Sequence, residues 1–273
     1  MRCDKVNRWC QIKQLFIFMF QLLDASFAIE DKTILHPTNL TFKKGAVTTL
    51  LGHNGCGKST LIKLLSRQNQ PASGQVLFND KVVTSYTSQD FALNVAYLPQ
   101  HPPMTDGVTV RELVCFGRYP WKGAFGRYSK EDYALVDEAI EKVGLTQFSD
   151  RFVATLSGGE RQRAWVAMLL AQQSQCILLD EPTSALDVAH QYELLALIRE
   201  LNQSLGLTVI MVLHDVNMAA KFSDELVALH SGQVIAKGTP QELMTPDTLM
   251  KIYGMELALF PHPDTGHPIS YIP

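Results

Sequence analysis

The chain has 273 residues, of which 46% are hydrophobic and 19% are charged, and its formal net charge at pH 7 is −3. This length and apolar content suffice for one large domain, or for one domain with an added lobe. The slightly acidic balance offers no electrostatic attraction to nucleic acid or anionic lipid, so nucleic acid is not a predicted partner. Five cysteines, none in a C-x-x-C pair, do not form a disulfide framework and favour a reducing compartment.

The first element is predicted to be a β-strand. The apolar run from Leu15 to Leu23 follows four basic residues, as in a signal peptide. It is too short to span a bilayer, which needs about 20 apolar residues, and no other run approaches that length. Short apolar runs then alternate with turn signals over residues 20–51, which indicates antiparallel strands. Residues 1–19 are a possible N-terminal extension, and Met19 is an alternative start of translation.

A glycine-rich loop follows the next apolar run and reads GHNGCGKST over residues 52–60. Glycine lets several backbone N–H groups approach a phosphate chain, and a helix that begins at Lys58 adds the positive end of its dipole. Lys58 is predicted to reach the β- and γ-phosphates, and the Ser59 hydroxyl to bind Mg²⁺. An ordinary glycine turn is the alternative, but this pattern rarely arises by chance between a strand and a helix. The predicted nucleotide-binding residues of the loop are Gly52, His53, Asn54, Gly55, Cys56, Gly57, Lys58, Ser59 and Thr60.

The middle of the chain changes from strand to helix. Residues 74–98 have the composition of further strands. A capping-box pattern that begins at Ser129 predicts a helix to about Val143, which Gly144 ends. The sequence therefore predicts a helical subdomain at about residues 101–160, inserted into a sheet protein.

A pair of carboxylates follows a later apolar run. Asp180 and Glu181 come directly after the run from Cys176 to Leu179, which is typical of a central parallel strand. Ligands bind at the carboxyl ends of such strands. Asp180 is predicted to hold Mg²⁺, directly or through water, and Glu181 to polarise the attacking water. An ordinary surface pair would not follow four buried-type residues, so the two motifs together predict a P-loop NTPase.

A third motif indicates which kind of NTPase this is. Residues 156–162 read LSGGERQ and precede a predicted helix. Ser157 is a good N-cap, and Gly158 and Gly159 expose backbone N–H groups, which makes a second anion-binding helix terminus. Because one nucleotide occupies the glycine loop, this second terminus is predicted to serve a nucleotide on a partner chain. Here the sequence resembles the ABC ATPase family, whose signature is LSGGQ, with Glu160 in place of the usual Gln.

The resemblance covers residues 20–260 almost continuously and implies both fold and site. It implies an α/β fold in which a P-loop NTPase (RecA-like) core carries an N-terminal antiparallel β subdomain and the inserted helical subdomain. Gln100 matches the family's Q-loop, which senses Mg²⁺ and the attacking water and touches the membrane subunit. Asp187 matches the loop that crosses the dimer interface, and His214 matches the switch histidine that contacts the γ-phosphate.

The implied cofactors are ATP and Mg²⁺, and the implied site residues fall into three groups. The catalytic residues are Lys58, Gln100, Glu181 and His214. The ligands of the metal are Ser59, Gln100 and Asp180. Beyond the glycine loop, the residues implied to bind ATP are Ser157, Gly158, Gly159, Glu160 and Asp187.

The resemblance also implies how the chain assembles. Two copies would close head to tail around two ATP molecules as a homodimer, with Glu181→Gln trapping the closed pair. The implied partners are an integral membrane permease and, indirectly, a periplasmic or surface siderophore-binding protein. The implied location is peripheral, on the cytoplasmic face of the inner membrane.

The cargo is predicted from finer features of the same resemblance. The stretch from Val110 to Arg127 is similar to importers of iron–siderophores and vitamin B12, and it lies where the family docks its permease. Tyr119, Trp121 and Phe125 are candidate docking aromatics, with a place in the core of the lobe as the alternative. The features that point to the ferric hydroxamate (ferrichrome) branch are residues 34–37, 52–54, 117–121, 157–167 and 260–263.

Several alternatives stay open at this point. Vitamin B12, haem or another siderophore is an alternative cargo. A soluble ABC ATPase of DNA repair or translation is a distant alternative, because the chain has one cassette and no heptad run. A P-loop kinase or GTPase is disfavoured by the LSGGE segment. Two local questions also remain open: whether Cys56 is reactive or buried, and whether Phe27 or the non-aromatic Ile29 contacts adenine. Residues 261–273 are predicted to be a tail with solvated histidines.

Overall fold

The computed structural model describes residues 17–103, 105–123, 126–263, 266 and 268–273. Residues 1–16 of the possible extension at residues 1–19 and the candidate docking residue Phe125 lie outside this part of the chain. The strands in chain order are β1 (Phe18–Ile29), β2 (Lys32–Lys43), β3 (Val47–Leu51), β4 (Ser73–Phe78), β5 (Lys81–Val82), β6 (Val95–Leu98), β7 (Cys176–Leu179), β8 (Thr208–Val212), β9 (Glu225–His230), β10 (Gln233–Gly238), β11 (Ala258–Pro261) and β12 (Pro268–Tyr271). The helices are α1 (Lys58–Leu65), α2 (Ser88–Ala92), α3 (Val110–Phe116), α4 (Tyr119–Lys122), α5 (Lys130–Lys142), α6 (Gly158–Ala171), α7 (Val188–Leu205), α8 (Val216–Phe222), α9 (Pro240–Leu243) and α10 (Pro246–Tyr253).

The central sheet has the strand order β10-β9-β3-β8-β7-β6. Its strands from β9 to β6 pair in parallel, and β10 is antiparallel to β9. Every residue of β3, β7 and β8 is buried, as expected for parallel strands with both faces covered. These strands therefore form the rigid centre of the molecule.

A second sheet, with the order β2-β1-β4-β5, is antiparallel. Phe20 of β1 packs on Phe78 of β4 with 5.0 Å between the ring centroids. These rings belong to one buried cluster with Leu61 of α1 and Leu178 of β7, so α1 is held in the core that the two sheets share. The α/β class with an antiparallel β subdomain, predicted from the sequence, is confirmed.

The helices α3 to α6 lie in the chain between β6 and β7, where the sequence predicted an inserted helical region. α6 packs against α3 and α5. The predicted helix α5 begins after Ser129, which forms a capping box with Asp132, and Gly144 follows its end with a φ of +70°. The capping prediction for this helix is therefore confirmed. Among the described residues, no helix combines the length and the apolar character that crossing a membrane requires.

The C-terminal part contains two hairpins, of which the sequence predicts the first, over Leu226 to Gly238 with Ser231 and Gly232 at its turn. β9 and β10 pair through a turn at Ser231 and Gly232, whose φ values of +46° and +75° are those of a type I′ turn. The sequence predicts a tail at residues 261–273, whereas the structure pairs β12 with β11. The reason is a long-range contact: Ser270 of β12, which is 8% exposed, hydrogen-bonds to Asn217 of α8.

Candidate nucleotide site

The predicted site residues follow four neighbouring parallel strands. β3, β8, β7 and β6 lie side by side, so their carboxyl ends form one edge of the central sheet. The glycine loop follows β3, His214 follows β8, Asp180 follows β7 and Gln100 follows β6. Ligands of open parallel sheets bind at this edge. Residues far apart in the sequence are thus brought to one place by the strand order alone.

The glycine loop needs its glycines for steric reasons. Gly52, Gly55 and Gly57 have φ values of +148°, +79° and +105°, a region that side chains disfavour. A Cβ atom at Gly52 would lie 2.3 Å from the carbonyl oxygen of Leu229, and one at Gly57 would lie 3.2 Å from that of Ile34. The helix α1 begins directly after Gly57 without a side-chain cap. This cradle fits a phosphate group, which would accept hydrogen bonds from the uncapped N–H groups.

Lys58 directs its ammonium group into the same loop. The side chain is 4% exposed, and Nζ donates to the carbonyl oxygens of Gly52 at 2.8 Å and His53 at 3.0 Å. The His53 ring meets the edge of His230 at 4.9 Å between centroids, while Asn54 is exposed. A positive charge at the centre of a glycine loop suits a polyphosphate.

The thiol of Cys56 is fully buried, with its sulfur 4.0 Å from Lys58 Nζ. Burial raises the pKa of this thiol, and the nearby charge of Lys58 opposes the shift only in part. The sequence left open whether Cys56 is reactive, and the structure favours an inert thiol. Only the backbone of Cys56 is then available to a ligand. Its carbonyl oxygen accepts a hydrogen bond from Gly232 N at 3.0 Å, so the β9–β10 turn supports the loop.

Ser59 and Asp180 bring two oxygen ligands together. The Ser59 hydroxyl donates to Asp180 Oδ1 at 3.0 Å. Asp180 is 3% exposed, and this burial raises the pKa of its carboxyl group, although the hydrogen bond from Ser59 and the charges of Lys63 and Lys58 act in the opposite direction. A hydroxyl beside a buried carboxylate is a donor set that Mg²⁺ prefers. The donor chemistry therefore fits a magnesium ion.

Glu181 is the centre of a small hydrogen-bond network. Its Oε2 accepts a hydrogen bond from Gln100 Nε2 at 2.5 Å and lies 2.8 Å from His214 Nε2. Glu181 also has a φ of +52°, a conformation that costs free energy in a residue other than glycine and that clusters at functional sites. The structure thus joins three of the predicted catalytic residues around one carboxylate.

The LSGGE residues form a second, separate arrangement. Ser157 caps α6 by accepting a hydrogen bond from Glu160 N, and Glu160 Oε2 accepts one from Ser157 N at 2.8 Å. A Cβ atom at Gly159 would lie 2.5 Å from Cδ2 of His190, whose Nδ1 lies 2.8 Å from Asp187 Oδ1. Bonds from the backbone and hydroxyl of Ser157 lower the pKa of Glu160. α6 packs on α3, α5, α7 and β6, whereas α1 packs on β2, β7 and β8.

The candidate docking aromatics behave differently from one another. Trp121 donates from Nε1 to the carbonyl oxygen of Gln172 at 2.8 Å, and the guanidinium of Arg118 lies 5.0 Å from its ring. These contacts favour a place in the lobe for Trp121. Tyr119 is 57% exposed and remains a candidate for docking.

Sequence reasoning missed three residues that support the site. Gly232 holds the glycine loop, and a Ser-Gly pair at a predicted turn was a usable signal for it. His190 packs on Gly159, and Tyr253 donates from its hydroxyl to the carbonyl oxygen of His214 at 3.3 Å. No local pattern announces either contact, because both join elements that are distant in the sequence.

Comparison with known proteins agrees with this geometry. The ABC transporter family matches residues 35–184. The chain is 44% identical over 239 residues to the iron(3+)-hydroxamate import ATP-binding protein FhuC of Bacillus subtilis (strain 168), covering 88% of this chain and 89% of that protein. It is 41% identical to the ferric enterobactin transport ATP-binding protein FepC of Escherichia coli (strain K12), covering 87% and 88%.

A solved structure has a similar fold. It is an inward-facing conformation described as that of a metal-chelate type ABC transporter, with a TM-score of 0.81 and 26% identity, over 93% of this chain and 98% of that chain. Both the extent of the family match and the identity to these relatives exceed what a shared fold alone would give. This chain therefore belongs to the ABC transporter family, as an ATP-binding subunit that couples ATP hydrolysis to transport.

Proposed function

We propose that the chain hydrolyses ATP at the edge formed by β3, β8, β7 and β6, with Glu181 as the general base. The observation that carries this proposal is the position of the Glu181 carboxylate, which is held by both Gln100 and His214. A general base has to sit within hydrogen-bond reach of the water that it polarises. When its carboxylate is already fixed, the side chain loses little conformational freedom on reaching the transition state.

The other residues bind and orient the nucleotide. The N–H groups of the glycine loop and the Lys58 ammonium hold the phosphates, and His214 would contact the γ-phosphate. Ser59 and Asp180, with Gln100, would hold Mg²⁺, which neutralises charge that develops on the phosphate oxygens. Glu181 then takes a proton from the attacking water, while Gln100 and His214 keep its carboxylate in place.

The second half of the site is proposed to come from another copy of the chain. α6 and α1 pack on different parts of the molecule, so Ser157, Gly158 and Gly159 would serve the ATP of a partner rather than that of their own chain. Asp187 caps α7 by accepting a hydrogen bond from His190 N, and His190 packs on Gly159. Asp187 would therefore lie at the same interface. In a head-to-tail homodimer of residues 20–260, the glycine-containing start of α6 in each copy would meet the ATP of the other copy, and Asp187 would lie at the same interface.

Replacing Glu181 by Gln tests its proposed role in ATP hydrolysis. Loss of the base should lower kcat by at least about 100-fold, while ATP binding and ATP-dependent dimerisation persist. The matched control is Glu193→Gln on α7, which removes a half-exposed carboxylate paired with Arg163 and should leave kcat unchanged. Phosphate release and light scattering with ATP measure the two effects. A normal rate in Glu181→Gln would exclude the assigned role.

The proposed cargo is an iron(III)–hydroxamate siderophore. Support comes from the 44% identity to the hydroxamate import protein, with relatives named for enterobactin and petrobactin at 41%. These names cover several siderophore classes, so another siderophore, vitamin B12 or haem is the alternative cargo. A soluble ABC ATPase of DNA repair or translation has no comparable support among these relatives.

The proposed setting is peripheral, on the cytoplasmic face of the inner membrane. An integral membrane permease would carry the cargo, with exposed Tyr119 near the docking surface and a siderophore-binding protein outside the membrane. Uptake of iron(III)–ferrichrome should be lost in cells that lack the chain, and wild type but not Glu181→Gln should restore it. Unchanged uptake would remove the hydroxamate assignment, and vitamin B12 and catecholate siderophores should then be tested.

A further inference from the structure

The C-terminal part of the chain contacts the segment that presents His214. Tyr253 is the last residue of α10, and its hydroxyl donates to the carbonyl oxygen of His214 at 3.3 Å. α10 is anchored in the core by Leu249 and Ile252, each of which is 1% exposed. Burial, reinforced by the Asp215 carboxylate, raises the pKa of Tyr253, so its hydroxyl keeps its proton.

A second contact reaches the same segment from the hairpin β11–β12. Asn217, on the first turn of α8, donates to the carbonyl oxygen of Ser270 at 3.0 Å. Its Oδ1 accepts hydrogen bonds from Ser270 N at 2.8 Å and from the Ser270 hydroxyl at 3.0 Å. Asp215 caps α8 by accepting a hydrogen bond from Met218 N at 2.8 Å, so the N-cap of this helix directly follows His214. Both contacts therefore end within three residues of the histidine.

His214 depends on such support because much of its side chain lies in solvent. Its side chain is 45% exposed, yet its Nε2 lies 2.8 Å from Glu181 Oε2. A side chain that is half in solvent takes its position mainly from its own backbone. A shift of the His214 backbone would move the imidazole away from the carboxylate, and the bond from Tyr253 to the His214 carbonyl oxygen opposes that shift.

We propose that α10 and the paired strands β11 and β12 form a brace on the His214 segment, and that Tyr253 is a positioning residue for ATP hydrolysis. This inference rests on the proposed function of Glu181 and His214. The brace would act on the rate of the chemical step and not on the binding of ATP, since its contacts lie on the backbone of His214 and on α8 rather than on the glycine loop's phosphate-binding face.

The first test is Tyr253→Phe, which removes the hydroxyl and keeps the ring. Because the bond is long for a hydroxyl donor, we expect kcat to fall by roughly two- to tenfold, with KM for ATP unchanged. Tyr133→Phe, which removes a hydroxyl from α5 in the helical lobe, is the control and should leave kcat unchanged. Asn217→Ala is a second, independent variant and should lower kcat in the same direction. An unchanged kcat in Tyr253→Phe, or a raised KM, would overturn the proposal.

A double-mutant cycle with His214→Ala separates positioning from general loosening. Single-turnover hydrolysis of labelled ATP measures the slow variants. If Tyr253 acts through His214, Tyr253→Phe should have no further effect once the imidazole is gone. An equal fall in both backgrounds would overturn the brace. If His214→Ala alone hydrolyses ATP at the normal rate, the proposed role of His214 fails, which is a different result from failure of the brace.

Discussion

The two helix N-termini that are proposed to bind phosphate are built in opposite ways. α1 begins after Gly57 without a side-chain cap, and its first turn has no acidic residue. α6 begins after Ser157, and the Glu160 carboxylate closes the turn by accepting a hydrogen bond from the Ser157 N–H. The N–H groups of α1 are therefore open to an anion, whereas those of α6 are partly bonded within the chain and face a negative charge.

This difference suggests an order of binding. The open terminus, with Lys58 beside it, is suited to take up ATP within one chain. The N-terminus of α6 is a weaker site for an anion, because the negative charge of Glu160 offsets the positive end of the helix dipole. We infer that α6 contributes only after the glycine loop of the partner has already positioned the nucleotide.

The largest expected effect concerns the anchoring of α6 at its far end. Arg118 donates to the carbonyl oxygen of Ala171, and its Nε lies 3.1 Å from Oδ1 of Asp132, which is 3% exposed. Lys122 lies 2.6 Å from the other oxygen of Asp132. Asp132→Asn breaks this buried cluster and should lower the free energy of unfolding by about 3–5 kcal/mol at pH 7. Asp137→Asn on the same helix removes an exposed ion pair and should lower it by less than about 1 kcal/mol.

The pH dependence of the same variant gives a second test. Burial alone would raise the pKa of Asp132, but hydrogen bonds from Lys122, Ser129 and Arg118 outweigh it and hold the pKa well below 3.8. A lowered pKa in the folded state stabilises the protein above the unfolded value, and the contribution is lost as the pH falls. Urea unfolding should therefore show the gap between wild type and Asp132→Asn shrinking below about pH 4. A constant gap would contradict the assignment.

The next effect concerns the uncapped N-terminus of α1 and the glycine loop before it. Gly52→Ala places a Cβ atom against backbone, so we expect affinity for ATP to fall by at least about 100-fold. Gly55→Ala is the matched control in the same loop. Its Cβ would meet nothing within 4 Å, and only its φ of +79° disfavours alanine, by about 1–2 kcal/mol. Titration with a fluorescent nucleotide measures both. Equal losses would mean that backbone strain, and not the close approach, sets affinity.

A smaller effect is expected at the capped N-terminus of α6. Ser157→Ala removes the cap of α6 and should destabilise the protein by about 1 kcal/mol. ATP affinity of the monomer should stay normal, whereas hydrolysis should fall because the partner's ATP loses a ligand. Thr239→Ala removes the same type of capping box from α9 and should cost similar stability with normal hydrolysis. Equal rates in the two variants would remove α6 from the site.

The smallest effect concerns the charge of Glu160. Gln can accept the same hydrogen bond from Ser157, so Glu160→Gln should change stability by only a few tenths of a kcal/mol. Removing a negative charge from an anion site should let the dimer form at a modestly lower ATP concentration. Dimerisation followed by light scattering across an ATP titration provides the measurement. A higher ATP requirement would show that the carboxylate assists closure.

The sequence predicted those parts of the molecule that local chemistry determines. The helix at α1, the capping box at Ser129 and the turn at Ser231 each depend on a few adjacent residues, and all are found where expected. Gln100, Glu181 and His214 were each predicted as site residues, but the contacts between them were not, because these depend on which strands are neighbours. The family resemblance, and not periodicity, supplied Gln100 and His214.

Long-range contacts account for what the sequence did not predict. The segment 261–273 is rich in proline and glycine, which indicates a tail, yet β12 pairs with β11 and Ser270 hydrogen-bonds to an asparagine on α8. The sequence was equally compatible with Trp121 as a docking residue and as a residue packed within the lobe. Its hydrogen bond to the carbonyl oxygen of Gln172 favours packing. The orientation of Cys56 likewise depends on the path of the loop backbone, which composition does not determine.

The strand order has a consequence for how the chain is made. β3, which carries the glycine loop, lies between β8 and β9, so both of its neighbours are synthesised long after it. Until residues 208–230 have left the ribosome, an apolar strand and the loop that follows it have no partners in the sheet. Such non-local pairing folds slowly and exposes the nascent chain to aggregation. The helical region between β6 and β7 is complete earlier, so the nucleotide-binding edge would be among the last parts of the protein to form.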